Sequence, residues 1–374
     1  MTHKVYAYVG AYTTEGDKTL TRNARARGIK CYSIDRATGD WTLESETETL
    51  NPAVLSFGRD RKILYSIESD SNVINAFGVY PESGRLTLFD QIQTGGKNVV
   101  IFGVSSDFGC IVAADHYGLL SAISLNENGG FGEVFAETVP PGHPGPLNDI
   151  YQPHARPHSV VFTPDGKYVL IADKGLDKVH SYEIDAKKKV FQLHAQIDCR
   201  RAGCPRHIVF SPDGKAAYLN LEMSNMVVAF DYQDGVLKPF QILPTLPDYY
   251  VGSVSKTSEI GMHPSGRWLY VSNRGHNSIV VYNIDSGTRC LSPLQWVDCG
   301  GKIPRYFTVD DSGNSLLCCN QFSDNIVVFA INPHYGLLEA RKTIDDIPGA
   351  VWLQLSDSIT APEANSTRVG QGIT

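Results

Sequence analysis

A chain of 374 residues with 33 basic and 40 acidic side chains carries a formal charge of −7. That balance leaves no basic stripe to displace counterions from a nucleic-acid backbone. No run of 18 apolar residues reads as a membrane span, and no apolar signal segment precedes the first strand, so the expected compartment is the cytoplasm.

The chain opens on an apolar strand, KVYAYVGAYT (4–13), and then repeats itself. Six units follow, each an apolar strand, a Pro-Asp-Gly-Lys-like turn and a second strand ending in a polar residue. They begin AVLSFGRDRKILYSIES (53–69), VVIFGVSSDFGCIVAAD (99–115), SVVFTPDGKYVLIADKG (159–175), HIVFSPDGKAAYLNLEM (207–223), EIGMHPSGRWLYVSNRG (259–275) and YFTVDDSGNSLLCCNQF (306–322). A period of roughly 50 residues with several short strands per unit is the signature of a β-propeller. The opening strand resembles the second strand of a unit, and the missing first strand stands at the other end in PGAVWLQLSD (348–357). The spacing therefore predicts an all-β, seven-bladed propeller whose first blade is closed by the C-terminal strand, with no unpaired sheet edge inside the ring. One domain is expected over 1–357, followed by a polar, flexible tail over 358–374.

The 34 glycines and 18 tyrosines in a chain that is 42% hydrophobic suit short strands and tight turns, and very little helix is expected. Eight cysteines form no CxxC pair, and several sit in apolar strands such as LLCCNQ, where a free thiol packs as a small core residue. Cys199 and Cys204 are close enough in sequence to approach one another. Asn365-Ser-Thr matches a glycosylation acceptor by chance.

Superposing the units picks out the unusual side chains. First strands start with Pro157-His158, Pro205-Arg206, Glu259 and Pro304-Arg305; second strands end with Asp173-Lys174, Glu222, Asn273-Arg274 and Asn320-Gln321. The two strands run antiparallel, so both rings open on one mouth of the central channel. His158, Arg206, Glu222, Glu259, Arg274, Arg305 and Gln321 are expected to share that cavity. Asp173, Asp177, Asn273 and Asn325 suit turn-stabilising roles as well as binding ones, and Asp165, Asp213 and Asp310 sit in turns at the opposite mouth. Converging arginines repel unless carboxylates or an anionic ligand compensate them, which points to an anionic ligand.

At these residues the chain resembles the seven-bladed propeller lactonases, which include bacterial propeller-type 6-phosphogluconolactonases and fungal 3-carboxy-cis,cis-muconate lactonising enzymes. The resemblance is carried by YVGAYT (8–13), NPAVLSF (51–57), QPHARPHSVVFTPDGKYVLIADKGLDKV (152–179), CPRHIVFSPDGKAAYLNLE (204–222), SEIGMHPSGRWLYVSNRGHNSI (258–279) and IPRYFTVDDSGNSLLCCNQFSDNI (303–326). It implies a catalytic set of His158, Arg206, Glu222 and Arg274, with His154, Glu259, Arg305 and Gln321 lining the same mouth for substrate binding. Tyr151 stands where many members carry Arg, and Arg156 interrupts the histidines of PHARPH. The implied reaction is hydrolysis of a small anionic sugar lactone, most often 6-phosphogluconolactone, with no cofactor and no metal.

Such hydrolysis needs an activated water, a stabilised oxyanion and a proton for the leaving alkoxide. Glu222 or His158 could take the water proton, Arg206 or Arg274 the oxyanion, and the other arginine with Arg305 the substrate's phosphate or carboxylate. Neither G-x-S-x-G nor H-E-x-x-H occurs, so no serine acyl-enzyme or zinc site is indicated. The same residues suit muconate cyclisation, in which a substrate carboxylate adds to a double bond. A non-catalytic interaction propeller is the third alternative, and the absence of any Trp-Asp dipeptide argues against it. Oligomeric state is not legible.

Overall fold

The computed structural model describes residues 4–14, 25–58, 60–105, 109–147, 150–252, 254–357 and 359. Among these, every regular element is a β-strand, and the strands form seven four-stranded antiparallel sheets. Blade 1 takes its innermost strand, Ala350–Leu355, from the C-terminal end and its other three, Val5–Ala11, Gly28–Ile34 and Trp41–Glu48, from the N-terminal end. Blades 2 to 7 follow in order, spanning 55–93, 99–138, 157–198, 205–244, 256–298 and 304–344. The expected closure is thus observed, with Tyr8 opposite Gln354 and Val9 opposite Leu353.

Closure is held by packing as well as by the ladder. Ala350, Val351 and Leu353 are almost fully buried. Tyr8 packs against blade 2 in a cluster with Leu55, Leu64 and Phe77. Within blades the middle strands are apolar on both faces, whereas the fourth strand alternates, as in Val190–Asp198. A sheet sandwiched between neighbours must bury both faces; its outer edge meets water.

The turns explain the repeated Pro-Asp-Gly-Lys. Asp213 Oδ1 accepts from Ser211 Oγ at 2.6 Å and from the Lys215 amide at 3.1 Å. Gly214 then adopts φ +69°, a left-handed conformation open to glycine without cost. Polar residues near the second-strand ends tie segments together. Asp173 Oδ1 accepts from the amides of Arg156, Gly175 and Leu176, Asp177 from those of Ala202 and Cys204, and Asn273 and Asn325 donate to the Thr245 and Gly300 carbonyls. These four are therefore structural.

All eight cysteines are free thiols, Cys199 and Cys204 included. No helix among the described residues is long and apolar enough to cross a membrane. The tail read over 358–374, with Asn365, lies outside the described residues apart from Ile359.

Candidate active site

The functional positions on the innermost strands trace to a local irregularity. In blades 3 to 7 the innermost strand loses register near its start, between Val99 and Ile101, Pro157 and Ser159, Pro205 and Ile208, Thr257 and Ile260, and Pro304 and Tyr306. Such bulges re-aim the side chains they contain. Proline is tolerated at three of them because a bulge needs no ladder donor there. The residues within the shifts are Val100, His158, Arg206-His207, Ser258-Glu259 and Arg305.

Val100, His158, Arg206 and Arg305 line one cavity of about 310 Å³ on the axis, together with Lys174, Glu222 and Arg274 from the second-strand ends. Tyr12, Val351 and Trp352 of blade 1 and Ser69, Asp70, Asn98, His116 and Tyr117 of blades 2 and 3 also line it. Five of the eight expected site residues are thus brought together.

Glu222 is the hub. Its Oε1 lies 3.0 Å from Arg274 Nη2; its Oε2 lies 2.5 Å from Lys174 Nζ and 3.4 Å from Arg206 Nε. Burial alone would raise its pKa, but Lys174, Arg274 and Arg206 outweigh that and hold the carboxyl well below the usual range. Arg206 is further fixed by the Ser258 carbonyl, and Arg274 Nη2 donates to the Thr257 carbonyl at 2.9 Å. Burial, then the Arg274 charge, lowers the pKa of Arg206, although a guanidinium stays protonated at neutral pH. Burial, then Arg206 and Lys174, pushes His158 well below the normal imidazole range, so it is neutral near pH 7. Its Nδ1 is buried without a hydrogen-bond partner among the described residues. The site therefore combines fixed cations, an ionised organising carboxylate and a neutral imidazole.

Three expected mouth residues lie elsewhere. Glu259 sits one residue further along its inner strand than Ser258, the blade 6 counterpart of Arg206. Its Oε1 meets His207 Nδ1 at 2.8 Å and accepts from the Ile260 amide at 3.0 Å, and neither partner lines the cavity. It lines a second cavity of about 290 Å³ with Met262, Tyr306 and Trp352. Trp352, stacked on Tyr306 with centroids 4.1 Å apart, borders both cavities and separates them. His154 Nδ1 bonds the Ala155 carbonyl at 2.7 Å and its ring rests 5.6 Å from Tyr117, outside the cavity lining. Gln321 is buried, with its backbone amide on the Ile303 carbonyl, and does not line the cavity either.

The distinctive Arg156 turns away too, donating to the Ile150 carbonyl at 2.5 Å, and Tyr151 takes Lys256 Nζ over its ring at 4.7 Å. Lys174, Tyr12, Asp70, His116 and Trp352 are wall residues to which sequence reasoning assigned no role. For Lys174 a signal existed, since it follows Ile-Ala-Asp as Arg274 follows Val-Ser-Asn. Among the described residues no group of three or more His, Cys, Asp or Glu side chains is placed to hold a metal ion.

The structure is a closed seven-bladed ring with a cationic axial pocket, its unusual residues inside the channel. Residues 6–355 match the family described as lactonase, 7-bladed beta-propeller, and the chain belongs to that family. A 6-phosphogluconolactonase of Bacillus subtilis is 28% identical over 353 residues, covering 92% of this chain and 96% of the relative. Another protein of that name, from Formosa agariphila, is 30% identical over 366 residues, with 93% and 98% covered. Among solved structures, the periplasmic gluconolactonase of Pseudomonas aeruginosa superposes with a TM-score of 0.84 at 26% identity, covering 94% of this chain and 99% of its own.

Proposed function

We propose that this protein hydrolyses a small phosphorylated sugar lactone, 6-phosphogluconolactone in the first instance. The observation that carries the reading is the charge census of the axial cavity. Lys174, Arg206, Arg274 and Arg305 contribute four cations against the two carboxylates Glu222 and Asp70. The excess of two (four minus two) matches a phosphate monoester, which carries about −1.5 to −2 at neutral pH. A planar tricarboxylate would bring three negative charges to the same space.

His158 is assigned as the general base. It is neutral, and its Nδ1 has no other partner; Glu222 is committed to three cations and is too acidic to take a proton readily. His158 removes a proton as water adds to the lactone carbonyl, and Arg206 or Arg274 meets the developing oxyanion. The tetrahedral intermediate then breaks its bond to the ring oxygen, which leaves with the proton now on His158. The product acid releases one proton to solvent. Arg305, near Tyr12 with its Nη2 3.4 Å from the phenol oxygen, is assigned the phosphate. We further propose a reducing cytoplasmic location, consistent with eight free cysteines.

The test is direct. Purified protein should accelerate loss of 6-phosphoglucono-δ-lactone above its spontaneous rate, followed by a coupled dehydrogenase. An ultraviolet change with 3-carboxy-cis,cis-muconate instead would make the protein a cyclase. Inactivity on both would favour an interaction propeller.

A further inference from the structure

We propose that the cavity wall opposite the cations, built around Asp70 and Asn98, reads the hydroxyl groups of the substrate and makes the site selective for a polyol lactone. This rests on the reading of the cavity as a phosphorylated-lactone site, and it adds what recognises the uncharged part of that ligand.

The cavity is electrically divided. Its cations come from blades 4 to 7, whereas blades 2 and 3 present Ser69, Asp70, Asn98 and His116, with one carboxylate and no cation among the described residues. Burial, then Arg156 and Lys174, lowers the His116 pKa to about 4, so its ring is a neutral donor and acceptor at pH 7. Tyr117 and Trp352 supply apolar faces beside these groups.

This wall is preorganised. Asn98 Oδ1 accepts from the Asp70 amide at 3.0 Å while Asn98 Nδ2 donates to Asp70 Oδ1 at 3.1 Å, a reciprocal clasp between two blades. The Asn98 amide is in turn held by Asp115 Oδ2 at 2.5 Å. Asn51 Nδ2 reaches Asp70 Oδ2 at 3.4 Å and the Ser69 carbonyl at 3.2 Å. Asp70 is solvent-exposed and takes φ +67°, so its carboxylate is held up from a left-handed turn. A carboxylate offers about four acceptor sites. The described partners of Asp70 occupy two of them, leaving acceptors for vicinal hydroxyls. A site built to bond hydroxyls rejects ligands lacking them, because its polar groups are then left unpaired. The same carboxylate repels a third substrate carboxylate, which separates sugar lactones from tricarboxylates.

The test uses two stable ligands with the same charged ends, 6-phosphogluconate and the hydroxyl-free 6-phosphohexanoate, titrated calorimetrically. Wild-type protein should bind the hydroxylated ligand at least about tenfold more tightly, the size expected for hydrogen bonds to a charged group. Asp70→Gly suits the left-handed backbone and keeps the turn, and Asp70→Asn keeps the shape while removing the charge. Each should cut the preference between the two ligands, with the larger loss falling on 6-phosphogluconate. Thermal unfolding confirms that the variants are folded. A wild type without preference, or a preference surviving in both variants, overturns the proposal. Hydroxyl preference without lactone turnover would sink the assigned reaction and leave this wall standing.

Discussion

His207 Nδ1 lies 2.8 Å from Glu259 Oε1, to which it donates, and Arg206 Nη1 rests against the imidazole ring, 3.2 Å from Nδ1 and 3.3 Å from Nε2. Burial, then the charge of Arg206, lowers the His207 pKa, so the ring is a neutral link between a carboxylate and a guanidinium. Glu259→Ala should strip that link of its charged partner at a cost of about 1–3 kcal/mol. The freed Arg206 should lower kcat by up to about 10²-fold. Glu259→Gln keeps an acceptor and should recover much of both. Thermal unfolding and steady-state kinetics on the two variants check this.

Removing the hub should destabilise more than removing any spoke. Glu222→Gln leaves Lys174, Arg206 and Arg274 buried together without their counter-charge, an uncompensated arrangement worth about 3–5 kcal/mol. Inorganic phosphate should rescue the variant more than the wild type, because an anion can take the vacant role. Melting temperatures at increasing phosphate give the answer; equal shifts in both proteins would contradict the hub assignment.

The arginines should divide by kinetic constant. Arg206→Ala or Arg274→Ala, whichever removes the oxyanion donor, should lower kcat by about 10²–10³-fold. Arg305→Ala should mainly raise KM, because a phosphate anchor binds ground state and transition state alike. Initial rates on 6-phosphoglucono-δ-lactone separate the two.

Acid should weaken the fold in two stages. His116 and His180 have pKa values lowered to about 4, chiefly by burial, against 6.5 in the unfolded chain. As pH falls from about 6.5 to 4, the unfolded state takes up protons that the folded state refuses, so stability drops. Asp173, raised to about 6 by burial, opposes part of this slope, since the fold takes up its proton first. Glu222, with a depressed folded pKa, adds a second loss only below its unfolded value near 4.5. Urea unfolding at pH 7 and pH 5 should show lower stability at pH 5, with a smaller difference in His116→Gln.

The kinetic acid limb should lie well below pH 6.5. His158 remains an available base down to its depressed pKa, so kcat/KM should stay level from pH 7.5 to 6.5. An inflection near 6.5 would place the base on an unburied histidine.

Much of this site was legible because the chain repeats. Once the units are aligned, His158, Arg206 and Arg305 occupy one position and Lys174, Glu222, Arg274 and Gln321 another, and antiparallel pairing brings both to one mouth. The alignment failed at Glu259 by a single residue. In blade 6 the counterpart of Arg206 is Ser258, whose carbonyl binds the Arg206 guanidinium. Side chains on a strand change face with every residue, so a one-residue offset sends Glu259 to His207 and the second cavity. Nothing in the string of letters marks where a bulge inserts its extra residue.

The sequence by itself determined the number of blades, the closure by its two ends and the family, because periodic apolar strands and turn residues are local signals repeated seven times. Only the tertiary structure decided that Glu222 answers three cations at once, that Glu259 backs Arg206 from behind, and that Asp70 and Asn98 face them across the cavity. Those relationships join residues from different blades, and their distances depend on bulge geometry and on ring closure. No single unit encodes either.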